Sequence, residues 1–345
     1  MNTPNNTLHT LMREAARLTK AGQLGAATQA IQQALGNGMA GSGFLQGAAA
    51  DPGIDLGTFI GGNHTHAGIT RRYKLYTPPR TSSQPTALVV MLHGCTQNPD
   101  DFAAGTGMNI LAREQGFMVL YPEQAQDANP QRCWNWFKHN HQKRGSGEPA
   151  LIANLTQELV QQHGMDPRRV YIAGLSAGGA MAAIVARAYP DIFAAAGVHS
   201  GLPSGAAGNV AEALMVMKNG GANGAKTASG KTVPTIVFHG DSDQTVHARN
   251  GEQVLASALA SQTGNFASPN APRVEHGVSH RGRRFTRSIY SDASGAPVAE
   301  HWVLHGAGHA WSGGSANGSY TDATGPDATR EMLRFFFSQP HGPAH

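Results

Sequence analysis

Short apolar runs recur from about residue 70 onwards: "RRYKLYTP" (71–78), "ALVVMLHG" (87–94), "FMVLYPE" (117–123), "VYIAGLS" (170–176), "AAAGVHSG" (194–201), "TIVFHGD" (235–241) and "EHWVLHG" (300–306). Several are continuous rather than alternating, which is how a strand covered on both faces of a parallel sheet reads. Between them, residues 101–115, 149–163, 177–189, 210–218, 250–262 and 328–337 carry helical spacing. Strands alternating with helices predict an α/β fold, with a mostly parallel central sheet flanked by helices. The basic stretch 276–292, "HGVSHRGRRFTRSIYSD", reads as a solvated loop running into a hairpin-like strand. Residues 203–233, between two of the runs, read as either a small cap or a surface insertion.

The pattern is different before residue 57. Over residues 8–36, Leu11, Ala15 and Leu18 share one helical face, and Ala26, Ala30 and Ala34 recur at i+4 on a second. One such pair is too short for a solenoid. A helical hairpin is therefore expected over 1–36, docked on the main domain or used for self-association. Residues 37–56, rich in Gly and Ala, read as a linker, 57–338 as the main domain, and 339–345 as a tail. The first thirty residues hold no continuous apolar run of signal-peptide length, and no stretch approaches 18 apolar residues. The expectation is no export signal, a cytoplasmic setting if Met1 is the true start, and no membrane insertion.

Composition narrows the function classes. The 345 residues are 40% hydrophobic and 14% charged, enough to bury a core. A formal charge of +4 without a dense basic helix predicts no nucleic-acid partner. Cys95 and Cys133 are the only two cysteines, too few for a thiolate zinc site or a disulfide framework, although one disulfide could form.

The candidate chemistry begins at Gly174-Leu175-Ser176-Ala177-Gly178. Chance alone gives about 0.3 such Gly-x-Ser-x-Gly matches in a chain this rich in glycine and serine, so the setting must carry the weight. "VYIAG" is a predicted strand and "AGGAMAAIVARAYP" a predicted helix, so Ser176 sits at a strand–turn–helix junction, as a nucleophile elbow requires. A serine hydroxyl needs a base to take its proton. "EHWVLHGAGHAWSGG" supplies His301, His305 and His309; His309, in the glycine-rich loop beyond the strand, is preferred to His305. The base needs an acid to fix its tautomer. Asp241 and Asp243 both follow the strand at 235–241, and Asp243, further out, is preferred. The order Ser176, Asp243, His309 is the α/β-hydrolase order. Backbone N–H groups of Cys95, in "LHGC", and of Ala177 are placed to hold an oxyanion. Trp136 and Trp311 are the candidate walls of an acyl groove, while Trp134 and Trp302 read as core.

Together, "LHGCTQNPDDFAAGTGMN", "RCWNWF", "GLSAGGAMA", "HGDSDQTVH" and "HGAGHAWSGG" resemble the poly(3-hydroxybutyrate) depolymerase family of esterases, with feruloyl and acetyl-xylan esterases as relatives. The resemblance spans about residues 57–338. It implies an α/β-hydrolase fold, a Ser176–Asp243–His309 triad, an oxyanion hole near Cys95 and Ala177, and no metal or organic cofactor. It implies an ester or polyester of a short hydroxyacid as substrate and an extracellular setting. It also implies a disulfide between Cys95 and Cys133; in a reducing compartment the pair would be two buried thiols. The nearest alternatives are a carbohydrate-linked ester as substrate and, in another class, a non-catalytic granule- or partner-binding protein on the same fold.

Overall fold

Every apolar run becomes a strand of one ten-stranded sheet in the computed structural model, which describes residues 55–79, 86–221, 233–260 and 271–339. The strands are β1 (Thr58–His66), β2 (Ile69–Thr77), β3 (Leu88–Leu92), β4 (Met118–Pro122), β5 (Val170–Leu175), β6 (Ala195–His199), β7 (Thr235–Gly240), β8 (Arg273–Val278), β9 (Arg284–Ser291) and β10 (Pro297–Leu304). Their order is β1-β2-β4-β3-β5-β6-β7-β10-β9-β8. From β4 to β10 all neighbours are parallel. Antiparallel pairs extend the sheet on both sides. This is the α/β-hydrolase architecture.

The helices are α1 (Pro99–Thr106), α2 (Met108–Gln115), α3 (Gly147–His163), α4 (Ala177–Ala188), α5 (Val210–Asn219), α6 (Arg249–Ala260) and α7 (Ala328–Phe337). Alternation along each central strand divides the core between the two sheet faces. Leu88, Val90 and Leu92 join Leu120, Ile172, Leu155 of α3 and Ile184 of α4 in one cluster. Val89 and Met91 join Val119, Tyr171, Leu111 of α2 and Phe336 of α7 in the other. Burial on both sides explains why these strands read as unbroken apolar runs. Each fully covered Leu or Ile contributes about 1.5–3 kcal/mol.

Three local differences from the sequence expectation have physical causes. The helix read over 101–115 is two helices, because Gly107 takes a left-handed φ of 65° that ends one and starts the next. β1, "TFIGGNHTH", gave no apolar signal because it is a largely exposed edge strand. The stretch around 276–292 is a complete antiparallel hairpin, β8–β9, rather than a loop and one strand. Within 203–233, residues 210–219 form α5, capped by Asn209, whose side chain accepts from the Glu212 N–H. The expected hairpin at 1–36, the linker to residue 54, the residues 222–232 and the tail from 340 lie outside the described residues. Among the described residues, no helix is long and apolar enough to cross a membrane.

Parallel strands end on a common edge, so the residues that follow them gather there. Beyond that edge come His93 after β3, Ser176 after β5, Ser200 after β6, Asp243 after β7 and His309 after β10.

Candidate active site

Ser176 has φ 58° and ψ −120°, a left-handed conformation that a serine avoids without support. The support is steric and polar. Its N–H donates to the His199 carbonyl at 2.9 Å, and its carbonyl receives the Ala180 N–H, which starts α4. Helix α4 then crosses β3 closely enough that a Cβ on Gly178 would lie 2.0 Å from the Leu92 carbonyl oxygen. A Cβ on Gly174 would lie 2.4 Å from the Gly178 backbone. The motif's glycines are therefore required by backbone packing, and the serine between them is held at the strand end.

His309 Nδ1 lies 2.7 Å from Asp243 Oδ2, with the Asp243 side chain fully covered. The other carboxylate oxygen, Oδ1, accepts the N–H groups of Thr245 and Val246, each at 2.9 Å. Burial pushes the Asp243 carboxyl up, but hydrogen bonds from His239 and His309 outweigh it and hold the group well below the usual carboxylate range. An ionised Asp243 can only accept, so the hydrogen bond fixes the ring proton on Nδ1 and leaves Nε2 as the basic atom. The alternative residues form a pair of their own: His305 Nδ1 meets Asp241 Oδ2 at 2.9 Å, with both side chains about a third or more exposed. His305 and Asp241 do not line the cavity that holds Ser176, whereas His309 does.

That cavity has a volume of about 450 Å³ and an apolar lining. Cys95, Ser176, Ala177 and His309 all line it. Trp136, Phe137, Leu202, Leu214 and Met217 form much of the rest. Ala177 is the first residue of α4, where a helical N–H has no carbonyl behind it. The Cys95 N–H engages no acceptor among the described residues. Two free donors thus border the space beside Ser176, at the positive end of a helix.

The loop carrying Cys95 is fastened from several directions. Cys95 and Cys133 form a disulfide. The Trp134 indole donates to the His93 carbonyl at 3.1 Å, the Gly94 N–H donates to Gln97 Oε1 at 2.9 Å, and the Thr96 N–H donates to the Gln131 carbonyl at 2.6 Å. His93 Nδ1 donates to the Gly94 carbonyl and Nε2 accepts the Gln124 N–H, so both ring atoms are spoken for. Burial lowers the His93 pKa to about 4, which keeps this tautomer neutral.

One expected wall is not there. Trp311 is only 1% exposed and does not border the cavity. A short parallel pairing of Trp311–Ser312 (β11) with Thr321–Asp322 (β12) turns its ring into the core. There it stacks on His199, meets Phe102 edge-on, and donates its indole N–H to Thr329. Trp136 does border the cavity, while Trp134 and Trp302 are core residues. Three supports that the structure brings together were not among the candidates read from the sequence. His199 accepts the Ser312 N–H at Nε2, His239 holds the Val246 carbonyl at 2.8 Å, and Gln97 pins Gly94. His199 and His239 lie at the carboxyl ends of β6 and β7, and Gln97 in the loop after β3, so a polar residue at the carboxyl edge is the signal they share.

Comparison with known proteins places these features in a family. A family model described as "Esterase PHB depolymerase" matches residues 71–277, a span that includes Ser176 and Asp243 and stops short of His309. Poly(3-hydroxyalkanoate) depolymerase C of Paucimonas lemoignei is 32% identical over 256 residues, which is 71% of this chain and 59% of that protein. Acetylxylan esterase A of Talaromyces purpureogenus is 26% identical over 277 residues, 72% of this chain and 69% of that one. The chain spans only 59% and 52% of the length of two depolymerase relatives. The solved acetyl xylan esterase from Aspergillus awamori shares the fold, with a TM-score of 0.62 and 19% identity over 78% of this chain and 94% of that one. With a family match over more than half of its residues, the chain belongs to the PHB depolymerase family of esterases.

Proposed function

We propose that the protein is a serine ester hydrolase that works through an acyl-enzyme, and that its substrates are esters or oligomers of short hydroxyalkanoic acids. The observation that carries this is that His309, paired with the covered Asp243 carboxylate, borders the same apolar cavity as Ser176. In the proposed reaction, His309 Nε2 removes the Ser176 hydroxyl proton as the oxygen attacks the ester carbonyl. The N–H groups of Cys95 and Ala177 hold the tetrahedral oxyanion; losing one such donor typically lowers turnover about 10²–10³-fold. His309 then passes its proton to the leaving alcohol. Water, deprotonated by the same ring, releases the acid and restores Ser176.

The apolar rim favours the polyester substrate. Helix α5 presents Val210 and Leu214 at the cavity mouth, and Val210, Leu214 and Met215 are each more than half exposed. An aliphatic polyester chain can lie against such a surface. A carbohydrate-linked ester is the second candidate, because Trp136, Phe137 and Tyr320 line the cavity with Gln131; aromatic faces beside an amide suit a sugar ring.

The test is hydrolysis of p-nitrophenyl butyrate and of amorphous poly(3-hydroxybutyrate) by wild type and Ser176→Ala. Cleavage of both by wild type and of neither by the variant supports the proposal. Cleavage of the small ester alone moves the substrate to the carbohydrate esters. A folded wild type that cleaves neither, and whose Ser176 resists a fluorophosphonate probe, removes the hydrolase assignment.

A further inference from the structure

Tyr320 stands at the cavity with a phenol ring about half exposed and a φ of 52°. Thr96, between the lining residues Cys95 and Gln97, has a φ of 66°. Both are non-glycine residues in the left-handed region, where a β-branched or bulky side chain is an outlier, and such outliers gather at functional sites. Each is held there by its backbone. The Tyr320 carbonyl accepts the Trp311 N–H at 2.7 Å, two residues beyond His309, and the Thr96 N–H is bonded to Gln131. Although 224 residues apart in the chain, their hydroxyl oxygens lie 3.2 Å apart.

The direction of the protons follows from what each atom can do. The Thr96 hydroxyl lies 2.6 Å from the Cys95 carbonyl oxygen, which can only accept. Thr96 has one hydroxyl proton, so toward Tyr320 it can only accept. The Tyr320 proton therefore goes to Thr96. The phenolic oxygen has no other partner among the described residues, and with its proton committed, Tyr320 can meet a group in the cavity it lines only as an acceptor. Bonds aligned head to tail in this way reinforce one another. An ester carbonyl or an alkyl chain offers nothing to such an acceptor; an alcohol hydroxyl does.

We propose that Tyr320 is a specificity residue that accepts a hydrogen bond from a free hydroxyl of the substrate, the 3-hydroxyl of a short hydroxyacyl group, through the chain Tyr320–Thr96–Cys95 carbonyl. This rests on the ester-hydrolase proposal above and adds the chemical group that is recognised. A sugar hydroxyl offers the same chemistry from another source.

The experiment compares kcat/KM for p-nitrophenyl 3-hydroxybutyrate and p-nitrophenyl butyrate, which differ by that hydroxyl. Wild type is expected to favour the hydroxylated ester about three- to tenfold, the worth of one neutral hydrogen bond. Tyr320→Phe brings the ratio to about one. Thr96→Val keeps the β-branched shape but frees the Tyr320 proton, so the ratio falls; Thr96→Ser restores it. A wild-type ratio of one, or a ratio that Tyr320→Phe leaves unmoved, overturns the proposal. The same ratio for mono-acetylated against fully acetylated xylosides separates the sources. A Tyr320-dependent preference there, with none for the hydroxybutyrate pair, overturns the hydroxyacyl assignment in favour of a sugar. Turnover of p-nitrophenyl butyrate that persists in Ser176→Ala overturns the hydrolase proposal itself, whereas Ser176-dependent turnover with a flat ratio removes only the role of Tyr320.

Discussion

Asp243→Asn changes one atom and, in this structure, has only one low-energy orientation. Asp243 Oδ1 accepts two backbone N–H groups, from Thr245 and Val246, and Oδ2 faces His309 Nδ1. An asparagine must turn its carbonyl oxygen to the two N–H groups, which can only donate. Its NH₂ then faces His309 and makes Nδ1 an acceptor. The proton moves to Nε2, the atom that has to receive the Ser176 proton. Turning the amide over would restore the tautomer but leave the N–H groups of Thr245 and of the buried Val246 without their acceptor, at about 1–3 kcal/mol for the buried one. The lost negative charge beside the imidazolium adds to this. A fall in kcat of about 10³–10⁴ is expected, with KM little changed. The assay is steady-state hydrolysis of p-nitrophenyl butyrate, with circular dichroism and thermal melting to verify the fold. Asp241→Asn is the control, since Asp241 serves His305 outside the cavity; its kcat should stay within about threefold. A folded Asp243→Asn enzyme that keeps a tenth of wild-type kcat would refute the orienting role, and with it the tautomer argument.

Three further outcomes follow from the same geometry. Burial lowers the pKa of His93 and His301 to about 4 and of His199 to about 3. The unfolded chain binds their protons first, so stability is full above about pH 6.5 and falls by about 1.4 kcal/mol per residue per unit below it. Urea midpoints should drop steeply between pH 6.5 and 4.5, and a flat profile would contradict the burial of these rings. Removing the Cys95–Cys133 link, which closes a separation of 38 residues, should cost about 4 kcal/mol on the chain-entropy account and loosen the loop bearing the Cys95 N–H. Melting and turnover of Cys95→Ser/Cys133→Ser measure both effects; an unchanged melting temperature would show that the other loop fastenings suffice. Gly178→Ala places a methyl group 2.0 Å from the Leu92 carbonyl oxygen, so α4 must move away from β3. The expected result is a loss of at least about 3 kcal/mol of stability together with turnover, measured by chemical denaturation, and near-wild-type stability would show that the helix can give way.

Much of this was legible in the chain because it is local. A strand buried on both faces must be apolar throughout, so β3, β4, β5 and β7 were visible as runs. A tight strand-to-helix turn must have small neighbours, so the motif around Ser176 was visible too. Edge strands carry no such demand, and β1 was silent for that reason. The choice of Asp243 over Asp241, and of His309 over His305, rested on distance beyond the strand end. Folding made two Asp–His pairs from those four residues, and burial and the position of the cavity separate them. Trp311 misled because sequence proximity to His309 says nothing of which way a ring points, and the β11–β12 pairing turned it inward. The hydroxyl pair of Thr96 and Tyr320 left no trace in the sequence at all. Patterning determines which segments must be covered and where the chain must turn. Which side chains from distant segments share a proton is set by the strand order and loop paths, and these exist only once the sheet has formed.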